Sequence, residues 1–275
     1  MRIMSFNIRC TNVGNDTWED RIGIVTQTIL DGAPDSVGVQ EATPEWMETL
    51  NETLGEKYSY VGVGRDDGDN EGEYSAIFYL KDKYNVVDSG TFWLSSTPDA
   101  EGSVATDWHS AALFPRVCTW VILKDKLSGL EFAYFNSHFS YEHETLRNES
   151  AKLIISRIEE LGIPAFFSGD LNFASNEETD TYAAITEVMD DSRIAAPETM
   201  NGNTFHNYGY AEGESYGDGK CKTVPIDYIF STKGDFDAVS FKILSETGDK
   251  GDPSDYYSDH FAIVANYQVT VVYER

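Results

Sequence analysis

The sequence predicts a mixed α/β fold in one domain spanning residues 1–275. Three observations predict it: many short apolar runs of strand character, a few amphipathic helical segments set between them, and no Pro/Ser-rich linker or internal repeat to divide the chain. Sheets arranged this way bury their faces under the intervening helices, in mixed rather than purely parallel order.

Strands are expected at "IMSFNI" from Ile3, "DSVGVQ" from Asp35, "SAIFYL" from Ser75, "TFWLS" from Thr91 and "RVCTWVIL" from Arg116. They continue with "EFAYFNSHF" from Glu131, "PAFFSGD" from Pro164, "PIDYIF" from Pro225, "FKIL" from Phe241 and "HFAIVANYQVTVVY" from His260. Each is rich in the β-branched and aromatic residues that fit a pleated surface. A helix is expected over 43–54, with Thr43 as N-cap, Pro44 at the first helical position, and Trp46, Leu50 and Leu54 at four-residue spacing. A longer one over 143–161 places Leu146, Leu153, Ile154, Ile158 and Leu161 on one side and ends before Gly162 and Pro164.

Gly-rich acidic loops interrupt the pattern at 64–73, 208–220 and 248–259, and loops of this length are candidate rims of a site. The first has the opening of a calcium loop at Asp67, Asp69, Glu71 and Gly72, but Phe78 stands where the closing Glu is required, so it reads as a solvated acidic loop.

Lys and Arg number 20 against 47 Asp and Glu, a formal net charge of −27. Such a field repels polyanions and disfavours non-specific duplex binding. No apolar segment is long enough for a signal peptide or membrane span, and the expectation is a cytoplasmic protein with no obligate protein partner. Cys10, Cys118 and Cys221 form no C-x-x-C pair, so reduced thiols are expected rather than a disulfide framework or thiolate site.

Polar residues gather where apolar strands end. Asn7, on the strand face opposite Met4, Phe6 and Ile8, Glu41, His138 with Asn136 on its strand face, and Asp170 with Asn172 all stand at carboxyl ends. Asp227 and the Asp259-His260 pair stand at the opposite ends of their strands. If those later strands run antiparallel to the earlier ones, every group meets at one rim. Amides, carboxylates and imidazoles without thiolates suit a hard cation, Mg²⁺ or Mn²⁺, and leave carboxylates over for proton transfer. That combination describes hydrolysis of a phosphoester, with Asp170 accepting a proton from water and Asn172 donating an N–H to the water or phosphate. Singly, each residue also fits a turn, an edge strand or a helix start; the ordered set is what points to chemistry.

The set "SFNIR" at 5–9, "QE" at 40–41, "NSH" at 136–138, "SGDLN" at 168–172, "IDYIF" at 226–230 and "SDH" at 258–260 resembles the endonuclease/exonuclease/phosphatase superfamily over nearly the whole chain. The resemblance implies a four-layer αββα sandwich: two mixed sheets face to face, helices outside. It implies Glu41 as principal Mg²⁺ ligand, with Asn7 beside the metal and Asp259 at a metal- or water-binding position. Asp170 then orients or deprotonates the attacking water, with Asn172 as its partner. His260 faces the scissile phosphate, oriented by Asp227, and His138 is a second phosphate-facing imidazole. One metal or two is left open. "GRDDG", "GTFWLS" and Arg116 before "CTW" further resemble small bacterial members. Where those commonly read Asn-Thr-His-Leu-Asp-His, this chain has "NSHFSY", with Ser140 and Tyr141 in the last two places, and "TDWHSAALFPR" departs in spacing before Arg116.

Arg65, Arg116 and Arg147 are the cations expected near a phosphate, because guanidinium matches it bidentately. Glu73 is expected beside Arg65, and His109 in a substrate-contacting loop. His143 and His206 are expected at the surface, and Trp18, Trp46, Trp93 and Trp120 in the core. The substrate is expected to be a small or lipid-derived phosphoester; the alternatives are a nuclease acting on short or single-stranded nucleic acid, and a binding module without catalysis.

Overall fold

The structure is a computed structural model that describes residues 1–10, 17–209, 215–216, 219–220, 224–245 and 255–269. In chain order the elements begin β1 (Arg2–Asn7), α1 (Trp18–Gly32), β2 (Ser36–Gln40), α2 (Pro44–Leu54), β3 (Tyr58–Val61), β4 (Ile77–Leu80), β5 (Tyr84–Trp93) and β6 (Val117–Asp125). Next come β7 (Glu131–His138), α3 (Glu144–Leu161), β8 (Ala165–Asp170), α4 (Thr179–Thr186), β9 (Met189–Asp191), α5 (Ser192–Ala195) and β10 (Glu198–Thr199). The last are β11 (Ser215–Tyr216), β12 (Gly219–Lys220), β13 (Asp227–Thr232), β14 (Asp237–Leu244) and β15 (Ala262–Gln268).

Two mixed sheets carry the fold. One has the order β10-β14-β15-β1-β2-β4-β3, the other β5-β6-β7-β8-β13-β9, and β11 and β12 form a separate short ladder. Three apolar layers separate the elements. Phe6, Val39, Trp46 and Leu50 fill the first, between the seven-stranded sheet and α1 and α2. Phe135, Ile154, Ile158 and Phe167 fill another under α3, and Ile3, Tyr134, Phe166 and Ile263 fill the layer between the sheets. Alternation decides which layer each residue joins: on β1, Met4 and Phe6 face the helices while Ile3 faces the other sheet. The expected αββα sandwich is what forms.

The expected helices are present, and His143 caps α3 by accepting a hydrogen bond from Thr145 N at 3.2 Å. Helix α1 was not anticipated, because Gly23 and a run of β-branched residues weaken its local signal. It is held by tertiary contacts: Arg21 Nη1 donates to Ile8 O at 2.7 Å and Tyr257 O at 2.8 Å, and its guanidinium lies over the Trp46 ring. Of the acidic loops, 64–73 folds on itself through Asp67 Oδ1, which accepts from the N–H groups of Asp69 and Glu71. Parts of the loops at 208–220 and 248–259 lie outside the described residues, as does Cys221. Cys10 and Cys118 are free thiols. Among the described residues no helix is long and apolar enough to cross a membrane.

Candidate active site

Strand direction assembles the site. β1 and β2 are parallel, as are β7 and β8, so Asn7, Glu41, His138 and Asp170 leave their strands on one rim. β13 runs antiparallel to β8, with Asp227 opposite Asp170, and β15 runs antiparallel to β1, so Asp259 and His260 enter that same rim. The chain must turn sharply there. Gly169 has φ 156°, and a Cβ at this position would lie 1.9 Å from Ser137 O, so only glycine lets β8 approach β7 this closely. Glu41 and Asn172 take left-handed backbone at φ 62° and 54°.

Asp170 is the pivot. Asn7 Nδ2 donates to Glu41 Oε1 and to Asp170 Oδ2, both at 2.9 Å, which ties the two sheets together at the rim. His138 Nε2 and His260 Nε2 lie 3.5 and 3.6 Å from that same Asp170 oxygen. His260 Nδ1 is 2.9 Å from Asp227 Oδ2. Beyond His138, its Nδ1 lies 3.8 Å from Glu73 Oε2, and Arg65 Nη1 donates to that oxygen at 2.9 Å.

Burial and charge set the proton affinities. Burial disfavours the His260 imidazolium, but Asp227 and Asp170 outweigh it and push its pKa up to about 10. Burial raises the Asp170 carboxyl, despite the nearby imidazoles. Burial opposes ionisation of Glu41 too, yet Arg9, His138 and the hydrogen bonds from Cys10 N and Asn7 keep it well below the usual carboxylate range. The site therefore pairs an ionised Glu41 with a more basic Asp170 and a cationic His260.

Ligand atoms of Glu41, His138 and Asp170 lie within 4.8 Å of one another, as do those of Asp170, Asp227 and His260. The second group is already joined by the His260–Asp227 hydrogen bond. The first, two buried carboxylates drawn together by a carboxamide, has the oxygen-rich donor chemistry of a divalent hard cation. The residues fit such an ion.

The pocket over these groups encloses about 620 Å³, and Arg9, Arg65, Arg116, Arg147, Glu73 and Phe114 line it with them. Several expectations need correction. Asn136 does not reach the pocket: it is fully buried between the sheets, donating to Val39 O and Ala76 O at 2.9 and 3.0 Å and accepting from Gln40 Nε2 at 2.7 Å. His109 does not line it either, because its ring stacks on His143 with centroids 3.7 Å apart. Asn172 lines the pocket, its amide nitrogen 3.0 Å from both His138 Nε2 and Phe139 O. Arg147 lines the pocket, but its guanidinium is spent on Glu178 and on Ser140 O. Asp259 faces Arg9 Nη1 at 3.4 Å and lies outside both clusters. His206 is not on the surface: it is 3% exposed and stacked on Phe261.

Arg9 was missed. It follows the Asn7 strand end at φ 60°, and its Nη1 sits between Asp259 and Glu41, 4.0 Å from Glu41 Oε2. Only its place in "NIR" could have flagged it, since Asp259 comes 250 residues later in the chain.

The model of the Endonuclease/Exonuclease/phosphatase family matches residues 4–260, and the chain belongs to that family. Among solved structures it is similar to an endonuclease/exonuclease/phosphatase from Bacteroides vulgatus, at 36% identity and TM-score 0.86 over 98% of each chain. It is also similar to a mannosyl-6-phosphatase of Bacteroides thetaiotaomicron, at 31% identity and TM-score 0.82 over 98% of this chain and 99% of that one. Nocturnin of Drosophila melanogaster is 24% identical over 98% of this chain, which spans 47% of that relative's length.

Proposed function

We propose that this protein is a divalent-metal-dependent phosphoester hydrolase, one catalytic domain acting on a small or lipid-derived substrate. The observation that carries this reading is the Asn7 amide held at 2.9 Å from both Glu41 and Asp170, beside a His260 charged through Asp227. Glu41 would hold Mg²⁺ or Mn²⁺ beside Asn7, and the ion when bound neutralises phosphate charge and acidifies water. Asp170, its proton affinity raised by burial, takes the proton of the attacking water. His260, kept cationic by Asp227, donates to the phosphate oxygens as charge builds on them. His138, anchored by Asn172, borders the phosphate from the other side, and Arg9 keeps Asp259 and Glu41 in register. A cavity of about 620 Å³ matches the usual size of small-molecule sites, roughly 300–1,000 Å³.

A nuclease has less support. A net charge of −27 opposes a polyanion, and the pocket's arginines are partly committed to carboxylates.

The test is hydrolysis of p-nitrophenyl phosphate, bis(p-nitrophenyl) phosphate and a short single-stranded oligonucleotide with Mg²⁺, Mn²⁺ or EDTA, alongside Asp170→Asn and Glu41→Ala. Metal-dependent reporter cleavage is expected, lowered about 10²-fold or more in Asp170→Asn, with weaker metal binding by calorimetry in Glu41→Ala. Undiminished turnover in EDTA or in Asp170→Asn would overturn the reading. Oligonucleotide cleavage that falls steeply with salt would favour the nuclease.

A further inference from the structure

We propose that Arg116, beside the Glu73-paired Arg65, forms a second anion subsite in the pocket, which binds a phosphate or carboxylate of the substrate other than the phosphoester that reacts. This rests on the phosphoesterase reading and narrows the substrate class to molecules bearing two anionic groups.

Arg116 immediately precedes β6, lines the pocket and is 7% exposed. Its Nε and Nη1 are buried without a hydrogen-bond partner, and it makes no ion pair among the described residues. The other pocket arginines are matched: Arg9 to Asp259, Arg65 to Glu73, Arg147 to Glu178. The chain has 47 acidic residues, yet among the described residues none makes an ion pair with this guanidinium, and Glu73, Glu142 and Glu41 act on it only from farther away. Burying an unpaired cation is costly unless something else answers the charge. Burial and the neighbouring Arg65 charge pull the Arg116 pKa below its ordinary value and outweigh the charges of Glu73, Glu142 and Glu41, though guanidinium stays cationic.

The surroundings are shaped for a ligand. Phe114 stands 5.4 Å from the Arg65 guanidinium and Tyr141 5.8 Å from that of Arg116, so two half-exposed rings flank the pair at the pocket mouth. The Trp93 indole fixes Arg65 by donating to its backbone carbonyl at 2.7 Å. The Arg65 side of the subsite is offset from the reacting centre: His138 and Glu73 stand in sequence between Asp170 and Arg65, at successive separations of 3.5, 3.8 and 2.9 Å. An anion shared by Arg65 and Arg116 on the far side of Glu73 is therefore distinct from the group beside Asp170.

The test uses sulfate as the probe, in EDTA, so that no metal can recruit it. Sulfate is expected to raise the thermal midpoint of the wild-type chain and to bind by calorimetry. Arg116→Met should lose at least tenfold in sulfate affinity, and Arg116→Lys should recover part of it. Kinetically, the ratio of kcat/KM for fructose 1,6-bisphosphate over fructose 6-phosphate should fall about tenfold in Arg116→Met. Unchanged sulfate binding in Arg116→Met, no sulfate response in the wild type, or equal losses on both sugars would overturn the subsite. If no phosphoester is hydrolysed by any form, the phosphoesterase reading fails, while the sulfate arm still decides whether Arg116 binds anions.

Discussion

Nδ1 of His260 lies 2.9 Å from Oδ2 of Asp227, and this contact keeps the imidazole that faces Asp170 charged. Burial alone would drive the proton off; Asp227 is the largest influence holding it on. Asp227→Asn keeps the shape and removes the charge. The imidazole titration of His260, followed by NMR in the metal-free protein, should move down from about 10, and kcat should fall by about 10²-fold. An unmoved titration with lowered kcat would assign Asp227 a different role.

Asn136 joins sheets rather than substrate. Its amide donates to Val39 O on β2 and to Ala76 O just before β4, and its carbonyl accepts from Gln40 and Ser168. Glu41 is adjacent to Gln40, and His138 lies two residues beyond Asn136, so the network sets the distance between the two halves of the site. Asn136→Ala removes these four bonds; Ala76 O keeps Val39 N and Gln40 Nε2 keeps Ser5 Oγ and Gly38 O, so the loss is about 0.5–1.5 kcal/mol for each bond removed. Urea unfolding should show a lower midpoint, with turnover lost as the halves drift. Wild-type stability in this variant would mean that the sheets do not depend on the network.

His206 gives stability a pH dependence. Burial, and then the charge of His260, lowers its pKa from 6.5 to about 3. The folded chain therefore holds this imidazole neutral, while the unfolded chain takes up a proton below about 6.5. Its contribution is complete above that pH and declines as pH falls toward 3, by at most about 1.4 kcal/mol per unit. His206→Phe keeps a ring against Phe261 and cannot titrate. Urea unfolding at pH 7, 6 and 5 should show a shallower loss in the variant, and parallel losses would refute the assignment.

Much of the site was legible because its residues are marked locally. Asn7, Glu41, His138 and Asp170 each sit at the end of an apolar strand, and strand ends are visible in a period-2 pattern that breaks on a polar residue. Arg9, Asn136 and His206 were read wrongly or not at all because nothing nearby in the chain distinguishes them. Arg9 is defined by Asp259, Asn136 by carbonyls on the facing sheet, and His206 by Phe261 and the backbone of Asp259. Helix α1 escaped for a related reason: Arg21 holds it through carbonyls of Ile8 and Tyr257, which are far from it in the chain.

The sequence by itself determined the inventory: the strands, two of the helices, the acidic balance, and the carboxylates, amides and imidazoles suited to a hard cation. Those follow from short-range sterics and the period of apolar residues, which a linear chain displays. Tertiary structure decided the direction of β13 and β15, and with it whether Asp227 and His260 would meet Asp170 at all. It also decided which of the pocket's arginines would face a carboxylate and that Arg116 would make no ion pair among the described residues. The reason is physical: charge pairing and burial depend on distances in space, and those are set by packing two sheets together after the strands have formed.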